Sequence, residues 1–201
     1  MRQIVFATNN PYKLKEVQNI IEHSCSGSRV KILSLEDINF RIQAPETSET
    51  LEGNAIQKAR FIKNHTGYDC FADDTGLEVK ALEGAPGVRS ARYAGEKARY
   101  SDNNRKLLRK LKGVKNRKAR FRAVIALIAD GKDYLFEGKV NGFITEKPRG
   151  KGGFGYDPVF RPKHHQKTFA EMPEEQKNTI SHRFHATVKL ADWFDKHPEE
   201  F

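Results

Sequence analysis

Two long strand-like runs near the middle of the chain constrain its fold more than any other feature. They cover Ala119–Ala129 and Asp133–Thr145, and Asp130-Gly131 stands between them. An Asp-Gly pair between two apolar runs is a strong signal for a tight antiparallel hairpin. The rest of the chain alternates between predicted strands and helices, which by itself favours a parallel sheet. A hairpin inserted into that alternation predicts an α/β fold with a long mixed β-sheet flanked by helices.

The remaining elements follow from apolar periodicity and from capping residues. We predict three further strands, over Arg2–Thr8, Arg29–Leu35 and Tyr68–Ala72. We predict four helices: one from Asn10-Pro11, one ending at Gly67 with Ala55, Ile56, Ala59 and Ile62 on its apolar face, one capped by Ser101, and one capped by Ser181 with Phe184, Val188, Ala191 and Phe194 on its packed side. Arg41–Leu51 and Arg149–Gly155 are predicted loops, and no linker divides residues 1–201.

Composition excludes several protein classes. Of the 201 residues 37% are hydrophobic, which is enough for a core and argues against disorder. The longest apolar run, Ala123–Ala129, is far shorter than the ~20 residues of a membrane span, and the first residues do not resemble a signal peptide. Cys25 and Cys70 are too few for a disulfide framework or a structural zinc site. We therefore expect a cytoplasmic protein that does not contact a membrane.

The positive charge of the chain is local. The 36 Lys and Arg residues against 26 Asp and Glu residues give a formal net charge of +10. Between Lys97 and Arg122 there are 12 basic residues and a single acid, Asp102, so the rest of the chain carries a net charge of −1. This basic segment is typical of a solvated face, and it could also steer anions toward the protein.

The segment Thr8-Asn9-Asn10-Pro11-Tyr12-Lys13 joins a predicted strand to a helix start. Backbone N–H groups at such a junction can bind a phosphate. Lys13 stands in the first helical turn, where the helix dipole disfavours a cation by ~0.3–1 kcal/mol, and a bound phosphate would reverse that sign. An ordinary Asn cap with a solvated lysine explains the segment equally well.

Asp73 and Asp74 follow an apolar strand. Adjacent residues of an extended chain point to opposite faces, so one carboxylate can face a cleft while the other caps a neighbouring turn. Mg²⁺ prefers a few carboxylates together with water and phosphate oxygens, and Glu46, Glu49 or Glu52 of the preceding loop could supply a second ligand. A solvated turn is the competing interpretation.

Two later segments suit a nucleotide base. The stretch Arg149–Pro158 holds four glycines within six positions, which allows close backbone approach, and its Phe154 offers a ring for stacking. In the stretch Lys177–Arg183, His182 and Arg183 follow the predicted cap, again as basic residues at a helix start. Lys177, His182 and Arg183 can all donate to a carbonyl or phosphate oxygen. Each segment alone is also compatible with a loop or a solvated turn.

Taken in order, these segments resemble the inosine triphosphate pyrophosphatase family. The resemblance runs from Ile4 to about Leu190. Its most specific parts are Ala72-Asp73-Asp74-Thr75-Gly76-Leu77, the stretch from Gly84 to Tyr93, Gly152-Gly153-Phe154-Gly155-Tyr156-Asp157-Pro158, and Lys177-Asn178 with Ile180-Ser181-His182-Arg183. One departure is Asn9, where many members have Gly.

The resemblance implies a two-lobed fold with a central substrate cleft, usually in a homodimer. It implies Mg²⁺-dependent cleavage of ITP, dITP and XTP to a monophosphate and pyrophosphate, which removes deaminated purines from the nucleotide pool. The implied roles are a catalytic Asp74 that also binds metal with Glu46; phosphate binding by Thr8, Asn9, Asn10 and Lys13; and substrate contacts by Thr75, Phe154, Gly155, Tyr156, Asp157, Lys177, His182 and Arg183.

Two alternatives remain at this point. A pyrophosphatase of the related Maf type would act on other nucleotides, although Ser181-His182-Arg183 favours a purine pocket. A basic nucleic-acid-binding protein would explain the net charge, but the chain has no recognisable nucleic-acid module. Nucleic acid is therefore an unexpected partner, and a small nucleoside triphosphate is the expected one.

Overall fold

The computed structural model describes residues 2–24 and 30–197. The strands are β1 (Arg2–Phe6), β2 (Val30–Leu33), β3 (Cys70–Val79), β4 (Pro86–Gly87), β5 (Lys118–Ala129), β6 (Lys132–Ile144) and β7 (Phe160–Pro162). The helices are α1 (Pro11–Ser24), α2 (Leu51–Thr66), α3 (Tyr100–Lys110), α4 (Glu174–Asn178) and α5 (His182–Lys196). Arg29, at the start of one predicted strand, and Cys25 lie outside the described residues.

The strands form one mixed sheet in the order β2-β1-β3-β5-β6-β7, and β4 pairs with β3. β1 runs parallel to both β2 and β3, whereas β4 is antiparallel to β3 and β7 is antiparallel to β6. The predicted α/β class with a mixed, helix-flanked sheet is confirmed.

The predicted hairpin between β5 and β6 is also confirmed. Asp130 and Gly131 both adopt positive φ angles, 48° and 76°. Two successive residues of this conformation make the tight turn whose twist matches that of paired strands. Asp and Gly tolerate this conformation better than most residues, which is why the dipeptide predicted the turn.

The chain divides into two compact units. Unit 1 comprises Met1–Asp74, Ala123–Gly138 and Arg183–Phe201. Its part of the sheet is covered by apolar side chains on both faces. On one face residues of α1 and α5 pack on the strands around Phe6 and Phe71, whose rings stack at 4.6 Å. On the other face Ala59 and Ile62 of α2 pack on the strands. Both strand faces are therefore buried, as the continuous apolar run of β5 requires.

Unit 2 comprises Thr75–Arg122 and Lys139–His182. Its core contains Leu107 and Leu111 of the α3 region together with side chains of β3, β5, β6 and β7. Phe121, Phe160 and Phe169 form a ring cluster in this core, with centroids 4.6 Å apart for the first pair and 5.3 Å apart for the last pair. Helix α3 thus contributes its apolar side, as predicted, and leaves its basic side outside.

Two predicted element boundaries are corrected. The strand predicted to end at Ala72 continues to Val79, so Asp73 and Asp74 lie inside β3. Helix α3 begins one residue before Ser101, because Asp102 accepts the backbone N–H of Arg99 at 3.1 Å and closes the first turn there.

The packed side of α5 is displaced from the predicted one. Ala191 and Phe194 are buried as expected, but Phe184 and Val188 are only half-buried. Leu190 and Trp193 complete the inner side instead. The helix is rotated in this way because it also turns Arg183 inward.

In the described part of the chain, none of the helices is both long and apolar enough to cross a membrane.

Candidate active site

Asp73 and Asp74 lie in the middle of β3 and are both buried. Because alternate residues of a strand face opposite sides, their carboxylates have different partners. Asp73 contacts side chains of α1 and α5, and Asp74 contacts side chains of α2. The prediction of opposite faces is confirmed, and the carboxylate of Asp73 binds two basic side chains.

Asp73 is the common partner of the two cations that stand at unfavourable helix starts. Lys13 Nζ donates to its Oδ1 at 3.0 Å, and Arg183 Nε and Nη2 both lie 3.3 Å from its Oδ2. Arg183 also donates to Glu16, and its side chain is 1% exposed. The carboxylates of Asp73 and Glu16 therefore compensate for the placement of Lys13 and Arg183 near the positive ends of α1 and α5.

Burial and neighbouring charges shift the pKa values of Asp73, Lys13 and Arg183. Burial alone would raise the pKa of Asp73, but Lys13, Arg183 and Lys58 together hold that pKa well below its usual range. Burial lowers the pKa of Lys13, and Asp73 opposes that shift. The carboxylates of Glu16 and Asp73 overcome burial at Arg183 and raise its pKa. Asp73 and Arg183 are therefore a fixed ion pair at any physiological pH.

Asp74 belongs to a second group on the other face of β3. Lys58 Nζ donates to Asp74 Oδ1 at 3.2 Å, to Glu46 Oε1 at 2.6 Å and to the main-chain oxygen of Asp73 at 2.7 Å. Asn54 Nδ2 donates to Asp74 Oδ2 at 3.3 Å, and Asn54 Oδ1 accepts from the backbone N–H of Ser48. Two side chains of α2 thus hold the carboxylate of Asp74, and the loop before α2 contacts both of them.

Burial dominates the titration of Asp74 and raises its pKa, although Lys58 and Lys13 oppose that shift. Burial also disfavours the charge on Lys58, but the carboxylates of Asp74, Glu46 and Asp73 outweigh it and raise the pKa of this lysine. A buried carboxylate of raised pKa next to a permanent cation is the kind of group that enzymes use to hold or activate water.

The donor set at Asp74 fits a magnesium ion. Within the described residues no group of three or more His, Cys, Asp and Glu side chains is placed to hold a metal on its own. Glu46 and Asp74 nevertheless converge on a single cation, the ammonium group of Lys58. Mg²⁺ is commonly held by one or two carboxylates, with water and substrate phosphates completing its shell. Glu46 contacts Lys58, whereas the neighbouring Glu49 is exposed and Glu52 lies in the first turn of α2.

The junction between β1 and α1 is an Asn-capped helix start. Asn10 Oδ1 accepts the backbone N–H groups of Tyr12 at 3.0 Å and Lys13 at 3.3 Å, and Thr8 Oγ1 accepts that of Asn10. The Asn10 side chain therefore already accepts the N–H groups that were predicted to bind a phosphate. Asn9 is exposed, and the positive-φ residues of the described chain do not include it, so asparagine serves here as well as glycine. Side chains, rather than the helix end, are left to bind an anion.

A separate group forms in unit 2 around the Gly-rich loop. The buried Lys177 Nζ donates to Asp157 Oδ2 at 2.7 Å and lies 4.6 Å from the centre of the Phe154 ring. The same Asp157 oxygen accepts the backbone N–H of Phe154 at 2.9 Å. Gly153 has a φ of 67°, and a Cβ there would lie 2.1 Å from Asp157 Oδ2. The glycine thus lets the carboxylate approach the loop and hold Lys177 against Phe154.

The other predicted residues of unit 2 have distinct surroundings. Tyr156 is buried in the core, and its hydroxyl donates to the Ser90 carbonyl at 2.9 Å, so it supports the loop from beneath. Asn104 donates to the Gly155 carbonyl at 3.0 Å. His182 is buried with its ring stacked 4.6 Å from that of Phe121. Thr75 is half-buried in β3, next to Asp74 in sequence.

Sequence reasoning missed the partners of the two aspartates. Lys58 and Asn54 were overlooked. They lie four positions apart in α2, each next to an alanine of the apolar face, Ala55 or Ala59, and this spacing indicates that both face the inner side of the helix. Glu16 is likewise a buried acid on a helix whose neighbouring Val17 is buried. A buried charge needs a partner, so such positions could have been paired with the basic residues at the helix starts.

Comparisons with known proteins agree with one another. Residues 4–193 match the model of the Ham1 family. The chain is 54% identical over 194 residues to a dITP/XTP pyrophosphatase of Porphyromonas gingivalis, covering 96% of this chain and 97% of that protein. It is 53% identical over 190 residues to a dITP/XTP pyrophosphatase of Flavobacterium johnsoniae, covering 94% and 96%. Among solved structures, a HAM1 protein from Coxiella burnetii matches with a TM-score of 0.88 and 37% identity over 98% of this chain and all of that one.

Proposed function

The chain belongs to the Ham1 family, and from that premise we propose that it is a dITP/XTP pyrophosphatase. It hydrolyses ITP, dITP and XTP between the α and β phosphates and releases a monophosphate and pyrophosphate, with Mg²⁺ as cofactor. The names of its relatives at about half identity support the substrate class. The single observation that carries the chemistry is the convergence of Glu46 and Asp74 on one buried cation, the ammonium group of Lys58.

Glu46 and Asp74 are the residues that would hold magnesium. When bound, the ion neutralises charge on the phosphate oxygens and supports in-line displacement. Glu46 has a half-buried side chain within the loop that precedes α2, so it can adjust to a metal, whereas Asp74 is fixed in β3. We assign Asp74 the second role of orienting the attacking water, because its carboxylate is buried and held by Lys58 and Asn54.

Lys13 is the proposed phosphate-binding cation of unit 1. Lys58 adds positive charge there, while its three N–H groups donate to Glu46, Asp74 and the Asp73 carbonyl. The raised pKa of Lys58 keeps its ammonium group charged, and Asp73 holds Lys13 at a defined place. Thr8 and Asn9 can add side-chain hydrogen bonds, while Asn10 acts as the cap that positions Lys13. Arg183, bonded to Asp73 and Glu16, is proposed to act through Asp73 as a positioning residue.

Phe154, Asp157 and Lys177, with His182, are proposed to bind the base and sugar in unit 2. Hypoxanthine and xanthine present an acceptor at O6, whereas adenine presents an amino donor at that place. A buried ammonium group such as that of Lys177 would face a second donor if adenine were bound, and a site built for a hydrogen bond rejects its loss strongly. Asp157 fixes the direction of that ammonium group.

A substrate panel tests the proposal directly. The purified protein with Mg²⁺ is incubated with ITP, XTP, GTP, ATP and dTTP, and the phosphate product is identified. We expect pyrophosphate as the product and a clear preference for ITP and XTP. Release of orthophosphate from the γ position, or equal rates with GTP and ATP, would refute the assignment.

The association state and location of the protein belong to the same proposal. Family membership supports a homodimer in solution, which sedimentation of the full chain would measure as twice 23.0 kDa. The housekeeping of nucleotide pools supports a cytoplasmic site of action, which fractionation of the source cells would test.

A further inference from the structure

Unit 2 contains a cavity of about 630 Å³ that none of the candidate site residues lines. Its walls come from the end of the basic segment before β5, the end of β6, and β7. They include four cationic side chains, one ring and one carboxylate: Lys115, Arg117, Lys118, Arg161, Phe143 and Glu146. The volume lies within the range of ~300–1,000 Å³ that is usual for small-molecule sites.

The cations of this cavity differ from their neighbours in the basic segment. Arg99 and Arg105 pair with Asp102, and Arg120 and Arg122 pair with Glu78. In contrast, none of the four cavity cations forms an ion pair with a carboxylate of the described residues. Four cations lined up with one carboxylate, Glu146, leave an excess of positive charge, and a bound anion relieves the repulsion between them.

Part of this cationic surface is rigidly built. Arg117 donates to the carbonyl oxygens of Leu111 at 2.9 Å, Ile144 at 2.7 Å and Thr145 at 2.7 Å. These acceptors are neutral, so the guanidinium group is held in place with its full charge. Arg161 lies 5.0 Å from the centre of the Phe143 ring and donates to the His165 carbonyl at 2.8 Å. Two guanidinium groups are thereby oriented before any ligand arrives, which favours binding because less side-chain freedom is lost.

We propose that this cavity is a second anion site that binds a compact polyphosphate group. Guanidinium groups match phosphate oxygens in geometry, and Lys115 and Lys118 add mobile charge at the same walls. Inorganic pyrophosphate and the phosphate chain of a nucleoside triphosphate share this chemistry. The cavity has the size of a small molecule, which favours either of them over a nucleic-acid strand.

Calorimetric titration of the full chain with inorganic pyrophosphate, in EDTA, tests the site. The matched variants are Lys115→Ala/Lys118→Ala, at the cavity, and Lys110→Ala/Lys112→Ala, exposed lysines of the same segment outside it. We expect the cavity variant to bind one pyrophosphate fewer, or to bind at this site at least about tenfold more weakly, since two charge-assisted hydrogen bonds to the phosphate oxygens are lost. The control variant should titrate like the wild type, and thermal unfolding should confirm that both are folded.

Two further arms identify the ligand. In the first arm, titration with a non-hydrolysable nucleoside triphosphate shows whether the nucleoside adds affinity over pyrophosphate alone. In the second arm, titration with a single-stranded oligonucleotide shows whether the cavity binds a nucleic-acid strand instead. Equal losses in the two lysine variants, no pyrophosphate binding in either, or tight binding of the oligonucleotide only would overturn the proposal. The ITP hydrolysis rate of the cavity variant separates this result from the proposed function, because a second site predicts an unchanged kcat.

Discussion

Asp73 and Asp74 are adjacent in β3, and their pKa values shift in opposite directions. Both carboxyl groups are buried, which raises a pKa, but Lys13 and Arg183 reverse that effect at Asp73. Asp74 has Lys58 as its nearest cation and shares it with Glu46. Neighbouring titratable groups whose surroundings separate their pKa values commonly have separate roles in an enzyme. Here one aspartate is a permanent ion-pair partner and the other is available for chemistry.

Replacement of the Asp74 carboxylate tests whether Asp73 and Asp74 have separate roles. Asp74→Asn should lower kcat for ITP by about 10²–10⁴, because an amide neither holds Mg²⁺ well nor orients water. Its thermal unfolding and its affinity for ITP should stay close to those of the wild type. Glu49→Gln serves as the control, since Glu49 is exposed and its loss should change neither property. Full activity in Asp74→Asn would remove Asp74 from the mechanism.

The raised pKa of Asp74 predicts the acid side of the pH profile. As pH falls through that pKa the carboxylate takes up a proton and loses its affinity for metal, so kcat/KM should decline at a pH above the ordinary Asp value of 3.8. The decline should be measured at low Mg²⁺, since the metal competes with the proton for the same oxygens. A profile that stays flat down to pH 3.8 would contradict the assignment.

At the scale of elements, the Gly-rich loop is held by one carboxylate. Asp157 accepts from both the Lys177 ammonium group and the Phe154 backbone, and Gly153 provides the space for it. The hydroxyl of Tyr156 ties the same loop to Ser90. The loop is therefore an ordered platform of fixed polar contacts. That order explains how a glycine-rich sequence, which favours flexibility in isolation, can present a defined binding surface.

Gly153→Ala should disturb this platform more than backbone strain alone would. A Cβ at 2.1 Å from Asp157 Oδ2 forces the carboxylate aside, so KM for ITP should rise at least tenfold and selectivity over GTP should fall. Gly113→Ala is the matched control, because its φ of 77° is similar but a Cβ there meets open space. Both variants should lose about 1–3 kcal/mol of unfolding free energy from left-handed strain. Equal KM values in the two would contradict the role of the loop.

At the scale of the molecule, unit 1 is joined by a buried charge network that links distant parts of the chain. Arg183, from the start of α5, bonds to Glu16 of α1 and Asp73 of β3. Three elements separated by many residues thus share one charged cluster, and the removal of one partner would weaken the compensation of the buried charges that stay. The resemblance implied that Arg183 contacts substrate, while its partners in the structure suit a residue that stabilises unit 1.

Arg183→Met distinguishes these roles. We expect a loss of about 3–5 kcal/mol in unfolding free energy, measured by chemical denaturation, because the buried carboxylates of Asp73 and Glu16 both lose the Arg183 guanidinium group, while Asp73 keeps its contact with Lys13. Arg60→Met removes a different arginine–aspartate pair, with Asp133, in which the arginine side chain is 58% exposed, and should cost under about 1 kcal/mol. If Arg183→Met keeps wild-type stability and only raises KM, then Arg183 contacts substrate directly.

The sequence alone determined the class of fold and the hairpin between β5 and β6, and it predicted the segments of the candidate site. These features depend on local rules of periodicity, turn conformation and capping, which act over a few neighbouring residues. Tertiary structure decided the pairing of charges. Lys13 contacts Asp73, 60 positions away in the chain, and of the three nearby acids Glu46 contacts Lys58.

For the basic segment, too, the sequence shows one property and the tertiary structure another. Its excess charge is visible in the sequence, but only the fold separates the arginines that Asp102 and Glu78 neutralise from the cations that line a cavity. The physical reason is common to all these cases. Electrostatic partners are set by distance in space, which local sequence patterns do not encode, whereas backbone conformation is set largely by each residue and its immediate neighbours.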